Sequence, residues 1–224
     1  MSLILQIDTA TEKAQVSIAK DAFILQSLCN DSQKDHGSFL QPAIAQLVKD
    51  TGVTLQEIDA IAVTWGPGSY TGLRVGMSSA KGLCFALNKP LIAINTLEVL
   101  AASALLNEAG KQVKAQTLLC PMIDARRMEV FTAIYDSRLQ TILPPCAMVI
   151  EATSFAHYFT TNTLLFIGSG AKKMESACNN PAAGFSLVGI DPAAMAKIAE
   201  KNYTEKSFVS VAYSEPFYIK EFHY

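Results

Sequence analysis

Two segments in opposite halves of the chain set the strongest limit on its fold. LILQID, residues 3–8, and LLCPMID, residues 118–124, are apolar runs that each end on Ile-Asp. An alternating segment follows each of them, AQVSIA at 14–19 and EVFTAIY at 129–135, and ends eleven residues beyond the aspartate. A third apolar run comes next, at 23–28 and at 139–143. Alternation with period two marks a half-buried strand, and short turns between three such runs predict an antiparallel meander. In the first half the pattern predicts a helix over 37–50. There Phe39, Leu40, Ala43, Ile44, Leu47 and Val48 recur at helical spacing, Pro42 falls in the first turns and Gly52 ends the run. A buried strand over 59–64, a helix over 71–87, a short strand over 91–94 and a helix from about Thr96 follow. The second half predicts a helix over 153–159, a buried strand over 164–167, and a helix from Asp191-Pro192 to about Asn202, with aspartate as N-cap and proline at the first helical position. Three strands, a helix, a strand and a helix, stated twice, predict a duplicated α/β chain. Its lobes are expected at 1–108 and 109–224, the second reduced and with a C-terminal tail packing back.

Composition narrows the function classes. Charged residues make up 17% of the 224 and the formal net charge is −2, whereas a free-standing nucleic-acid binder carries a basic stripe. The densest basic spots are Arg126-Arg127 and Lys172-Lys173, so an RNA contact is expected to need a partner's surface. The five cysteines are scattered without a CxxC pair, as in a reduced cytosolic protein. MSLILQIDTA has no basic lead and reads as a strand rather than a signal peptide. The apolar stretch 92–106 holds Asn95 and Glu98 and is too short and polar to cross a bilayer. A cytoplasmic location is expected.

Paired lobes of this kind resemble the actin, hexokinase and sugar-kinase superfamily, in which ATP lies between two lobes and its phosphates sit on the first hairpin turn of each. An ATP-dependent kinase needs glycines in those turns, so that backbone N–H groups reach the phosphate oxygens. Here the turns are Asp8-Thr9-Ala10-Thr11-Glu12-Lys13 and Asp124-Ala125-Arg126-Arg127, without one glycine. Asp8 is left two roles, holding a hydrated metal or, with Asp124, capping a tight turn through its side chain; the second is preferred. Gly168 and Gly170, in IGSGA, have the look of an adenosine loop's remnant. Asp8, Asp124, Gly168 and Gly170 together would outline a vestigial nucleotide cleft. Metal chemistry lacks a ligand set: only His36, His157 and His223 exist, with no HxxxH or HExxH pair. Ser69 lacks the G-x-S-x-G frame of a nucleophile elbow.

The most glycine-rich stretch is WGPGSYTGLRVG, residues 65–76. Gly66, Pro67 and Gly68 follow a strand, and Ser69 or Thr71 can cap the next helix. No lysine follows the last glycine as a phosphate-binding loop requires, and Lys81 lies about three turns into the helix. Within that helix Leu73, Met77, Ala80, Cys84 and Leu87 form one stripe, flanked by Gly72, Gly76, Ser79, Gly82 and Ala86. Each interior glycine costs about 1 kcal/mol against alanine. That cost is understood if another backbone packs closely on the glycine face, either a second subunit or the lobe itself.

The segments ILQIDTATEKAQVSI, HGSFLQPAIAQLV, DAIAVTWGPGSYTGLRVGMSSAKGLCFALNKPLIAINTLEVLA and PMIDARRMEVFTAIYD resemble the bacterial TsaB (YeaZ-like) family. Residues 166–171 and the tail SEPFYIKEF do so more loosely. The resemblance implies a degenerate actin-like ATPase fold of the glycoprotease-like (peptidase M22) group, and an inactive paralogue of TsaD with no catalytic or metal residue of its own. It implies a non-catalytic scaffold that binds TsaD and works with TsaE. The product is N6-threonylcarbamoyladenosine at tRNA position 37, and tRNA would be met only indirectly. No cofactor would be required, and ATP or ADP binding would be weak or dependent on the interface. The first-lobe helices would form the contact with TsaD, or a homodimer in its absence. Carried onto this chain, that contact falls on His36, Phe39, Leu40, Ile44, Tyr70, Leu73, Arg74, Met77 and Ala80. Gly66, Pro67, Gly68, Thr71, Gly72 and Gly76 would set the start of the second helix. The alternative is a stand-alone ATP-binding enzyme of the actin-like kinase superfamily.

Overall fold

Both meanders predicted from the alternation are present. The protein, described by a computed structural model over residues 1–31, 35–107 and 113–220, contains two five-stranded sheets. In the first, β1 (Leu3–Asp8), β2 (Ala14–Lys20) and β3 (Phe23–Asn30) are antiparallel, and β4 (Ala60–Gly66) and β5 (Leu91–Asn95) join parallel to β1, in the order β3-β2-β1-β4-β5. In the second, β6 (Thr117–Asp124), β7 (Glu129–Tyr135) and β8 (Thr141–Val149) form the meander, and β9 (Thr163–Ile167) and β10 (Ala183–Ser186) extend it in parallel, in the order β8-β7-β6-β9-β10. The two orders are the same. The second half is reduced in its helices, not in its strands.

Alternation along the strands divides each sheet into two apolar faces. Leu5, Ile7, Val16, Ile18, Ile61 and Val63 pack with Leu40, Ile44 and Leu47 of α1 (His36–Thr51) and with Met77, Ala80 and Cys84 of α2 (Tyr70–Leu87). A later helix, residues Pro192–Thr204, packs on β1, β2, β3 and β5 without joining that core, and so covers the other face. In the second sheet Cys120, Met122, Val130 and Phe166 face Phe155 and Met174, whereas Leu119, Ile123, Ala133 and Leu165 face Leu97, Leu100 and Ala104 of α3 (Thr96–Leu106). The remaining helices are α4 (Ala171–Ala177) and α5, the Pro192–Thr204 helix.

The compact units therefore differ from the expected division. One comprises Met1–Thr96 and Pro192–Phe217, the other Leu97–Asp191 with Tyr218, Ile219 and Lys220. Residue 108, the expected boundary, lies outside the described residues. The segment 97–107 joins the second unit because α3's apolar side chains are buried against that sheet. The segment 192–217 joins the first because α5 covers its sheet and Val209 bridges Leu91.

Two expectations are corrected, and two short elements carried no signal. Residues 153–159 are not a helix: successive i+3 bonds (Ser154 to Glu151, Ala156 to Thr153, Tyr158 to Phe155) make a chain of turns ending in a 3-10 turn at Tyr158–Thr160. Ser154 and Thr160 hydroxyls bond nearby backbone, which competes with helix, and Phe155 is anchored edge-on against Phe166 at 5.1 Å. The predicted strand at 139–143 starts at Thr141 and runs to Val149, because Leu139 (φ 62°) still belongs to a tight turn held by Asp136. Its Pro144 and Pro145 are tolerated on an edge strand. Finally, α4 and β10 had no signal: they have seven and four residues, too short to show a period.

Candidate functional site: a closed first-hairpin turn

The β1–β2 turn is the one to which the superfamily resemblance assigns a phosphate, and the start of α2 rests on its Thr9 and Ala10. Asp8 is 3% exposed. Its Oδ1 accepts from the Thr64 hydroxyl at 2.7 Å and from the Ala10 N–H at 3.1 Å, so it caps its turn as the Asp-turn reading expects. The helix α2 begins on top of the same turn. The Ser69 N–H donates to the Ala10 carbonyl at 2.7 Å, and the Thr9 hydroxyl to the Gly72 carbonyl at 2.7 Å. Ser69 is the N-cap: its hydroxyl accepts from Gly72 N–H at 3.3 Å and its carbonyl from Leu73 N–H at 2.8 Å. Of the N–H groups at the start of α2, where an anion could bind, those of Ser69 and Gly72 are thus taken by the chain itself.

This contact answers why the stretch is rich in glycine. A Cβ on Gly72 would land on the Thr9 carbonyl, and one on Gly76 would meet the Thr9 hydroxyl. The glycine face admits a second backbone, and that backbone is the β1–β2 turn of the same lobe. The loop's other side is held by the C-terminal segment. Phe217 N–H donates to the Trp65 carbonyl at 2.7 Å, and the two rings stack at 5.8 Å. Lys81, too far along α2 to reach a phosphate, donates to the Ala212 and Ser214 carbonyls at 3.1 and 2.9 Å. Thr9, Thr64, Lys81 and Phe217 complete the arrangement, and none carried a sequence signal beyond residue type.

Burial pushes the Asp8 carboxyl above the usual carboxylate range, while the Thr64 hydroxyl, the Ala10 N–H and His36 partly offset it. A native pKa above the unfolded one means the native state holds its proton longer, so stability falls as pH rises from the unfolded pKa to the folded one. Asp8→Asn keeps an acceptor oxygen and removes the charge. We expect the variant to melt higher than wild type at neutral pH, the gain shrinking to nothing as pH falls below the unfolded-state value near 4. Thermal melts of both proteins across that range check it; a gain that grows in acid would contradict the assignment.

The second turn is open. Asp124 is exposed, accepts from Arg126 N–H at 2.7 Å and pairs with Lys173 at 2.7 Å. Gly168 and Gly170 lie beside it, but as packing residues: Gly170 N–H donates to the Met122 carbonyl at 3.0 Å, and its Cβ would press on Met122 and Val130 at 2.9 Å.

The residues carried over as a partner contact separate into two groups. Leu40, Ile44, Leu73, Met77 and Ala80 are core residues of their own lobe, at most 3% exposed. His36 is also buried, its Nε2 3.0 Å from the Thr11 carbonyl. Phe39 is half-buried against the same core. Arg74 is exposed and Tyr70 half-buried, the guanidinium 4.2 Å over the ring. The outward face of α2 carries Ser78, Gly82 and Ala86, with Phe85 85% exposed, and that of α1 carries Gln41, Pro42, Ala45, Gln46, Lys49 and Asp50. His157 lies in the turn segment before the 3-10 turn, and His223 falls outside the described residues. Among the described residues no three His, Cys, Asp or Glu side chains assemble as a metal-ligand set, and no helix is long and apolar enough to cross a membrane.

Comparison with known proteins places this arrangement. The family model described as TsaD, tRNA N6-adenosine threonylcarbamoyltransferase, matches residues 29–220. The tRNA threonylcarbamoyladenosine biosynthesis protein TsaB of Bacillus subtilis is 32% identical over 63% of this chain and 59% of its own length. The TsaB of Haemophilus influenzae is 25% identical over 97% of this chain and 93% of its own. The chain thus spans little more than half of the first relative and nearly all of the second. Among solved structures, YeaZ from Pseudomonas aeruginosa superposes with a TM-score of 0.82 at 27% identity, over 97% of this chain and all of that one. A dehydratase activator from Clostridium difficile, solved with ADPNP, shares the fold alone, with a TM-score of 0.52 at 9% identity. The duplicated sheets are those of the actin-like ATPase fold, and the chain belongs to the TsaB (YeaZ-like) group of the tRNA N6-adenosine threonylcarbamoyltransferase family.

Proposed function

We propose that this chain is a non-catalytic subunit in the formation of tRNA N6-threonylcarbamoyladenosine, docking on TsaD and working with TsaE while supplying no reacting group. The closed first-hairpin turn carries the reading. A triphosphate needs free backbone N–H groups and room beside them; here the Ala10 N–H is taken by the buried Asp8 carboxyl, the Thr9 hydroxyl and Ala10 carbonyl hold the start of α2, and glycines bring the two backbones together. The docking surface is the outward face of α1 and α2, smooth around Ala45, Ser78, Gly82 and Ala86 and flanked by Tyr70, Arg74 and Phe85. Small residues there let a partner helix approach closely. In the absence of TsaD the same face pairs two copies of the chain.

Titration with ATP, followed by reconstitution of the tRNA modification, tests the reading. We expect ATP to bind the isolated chain no tighter than millimolar, no turnover without partners, and modification only when TsaD and TsaE are added. Micromolar ATP binding with hydrolysis by the chain alone would establish the stand-alone enzyme instead.

A further inference from the structure

The β6–β7 hairpin tip carries a feature the closed turn does not explain. Arg126 and Arg127 both adopt left-handed backbone conformations, φ 70° and 46°, where glycine or asparagine is the low-cost residue. The tip is held tightly: Ala125 N–H donates to the Glu129 carbonyl and Glu129 N–H to the Arg126 carbonyl, each at 3.0 Å, and Asp124 accepts from Arg126 N–H. Both arginines are exposed. Two consecutive long cationic side chains are thus kept at positions that disfavour any side chain.

The acids at the base of the tip do not neutralise them. Asp124 is taken by Lys173, which also donates to the Glu129 carbonyl at 2.8 Å, and Glu129 is paired with Lys220 at 2.6 Å. Lys173, from the second basic spot of the sequence, is thereby held at the base of the tip that carries the first, and its sequence neighbour Lys172 is exposed on α4. Glu175, one turn further along α4, is the acid nearest Lys172 in sequence. The intramolecular ion pairs use the lysines and leave the guanidinium forks outward, which suits bidentate contact with phosphodiester oxygens.

We propose that the β6–β7 tip, through Arg126 and Arg127, is an RNA phosphate-backbone contact. The inference rests on the proposed function, since the RNA offered is the tRNA to be modified. It revises the expectation that tRNA is met only through a partner. Contacts of this kind set affinity and position without reading sequence.

The test uses the double variant Arg126→Asn with Arg127→Gly, which suits the left-handed backbone and removes both charges. Binding of an unmodified tRNA transcript is measured for the complex of this chain with TsaD, across a salt series. We expect the variant to melt higher than wild type and to join TsaD normally. Its tRNA affinity should fall about tenfold, and the slope of log affinity against log salt by about 1.5, for two lost phosphate contacts. A variant that joins TsaD and binds tRNA with unchanged affinity and slope overturns the proposal. So does one that loses TsaD instead, which would make the tip a contact with protein carboxylates. If the wild-type chain itself does not join TsaD, the proposed function fails first, and that result is distinct from either.

Discussion

Gly72→Ala should destabilise the protein by about 1 to 3 kcal/mol, although alanine is the better helix former. The added methyl would sit on the Thr9 carbonyl, and overpacking against backbone costs about 1–3 kcal/mol. Displacing Thr9 also weakens its hydrogen bond to the Gly72 carbonyl, worth about 1 kcal/mol. The gain in helix propensity, about 1 kcal/mol, offsets only part of this. The melting temperature should drop by about 2–12 °C, and Gly72→Leu should leave no folded protein. Gly82→Ala is the control on the same helix: nothing lies within 4 Å of its Cβ position, so it should gain about 0.5–1 kcal/mol. Equal stability of Gly72→Ala and wild type in denaturant unfolding would mean that α2 does not rest on the β1–β2 turn.

Gly82→Arg should abolish the complex with TsaD and leave the subunit folded. The position is open to solvent in the free chain, and arginine is a better helix residue than glycine, so the monomer should melt no lower than wild type. In a docked helix pair the same side chain would enter the centre of the contact with its charge unpaired, at about 3 kcal/mol or more. That is a loss of more than 100-fold in affinity, and reconstituted tRNA modification should fall with it. Undiminished complex formation by the variant would remove α2's outward face from the interface. Gly76 and Ala80 cannot serve in this experiment: Gly76 packs on Thr9 and Ala80 is fully buried, so enlarging either reports on the fold of the lobe.

The strands were legible because their signal is local. EVFTAIY alternates and is β7 over the same seven residues; LILQID and LLCPMID each end at the aspartate that closes the strand. The division of the chain into units was not legible. In α3 nearly every side chain is apolar, with no polar face to indicate which sheet it covers. The small residues of α2 announced a close approach but not its object. Gly72 and Gly76 face Thr9 while Gly82 faces solvent, and only the burial of α2 against its own sheet distinguishes them. The cap roles of Asp8 and Asp124 were readable from Asp in a turn. The ligation of Lys81 to two carbonyls more than a hundred residues away was not, since nothing near Lys81 in sequence records that the tail returns.

The exchange of helices between the two sheets also imposes a timetable on synthesis. The strands of the first sheet are all made by residue 95, but the helix that covers its second face begins at Pro192, after the entire second sheet. At ordinary ribosomal rates that interval lasts roughly 5–20 s. Throughout it a nascent apolar surface waits without its lid, within reach of chaperones and of other nascent chains. The sheet that emerges first is the last to be finished.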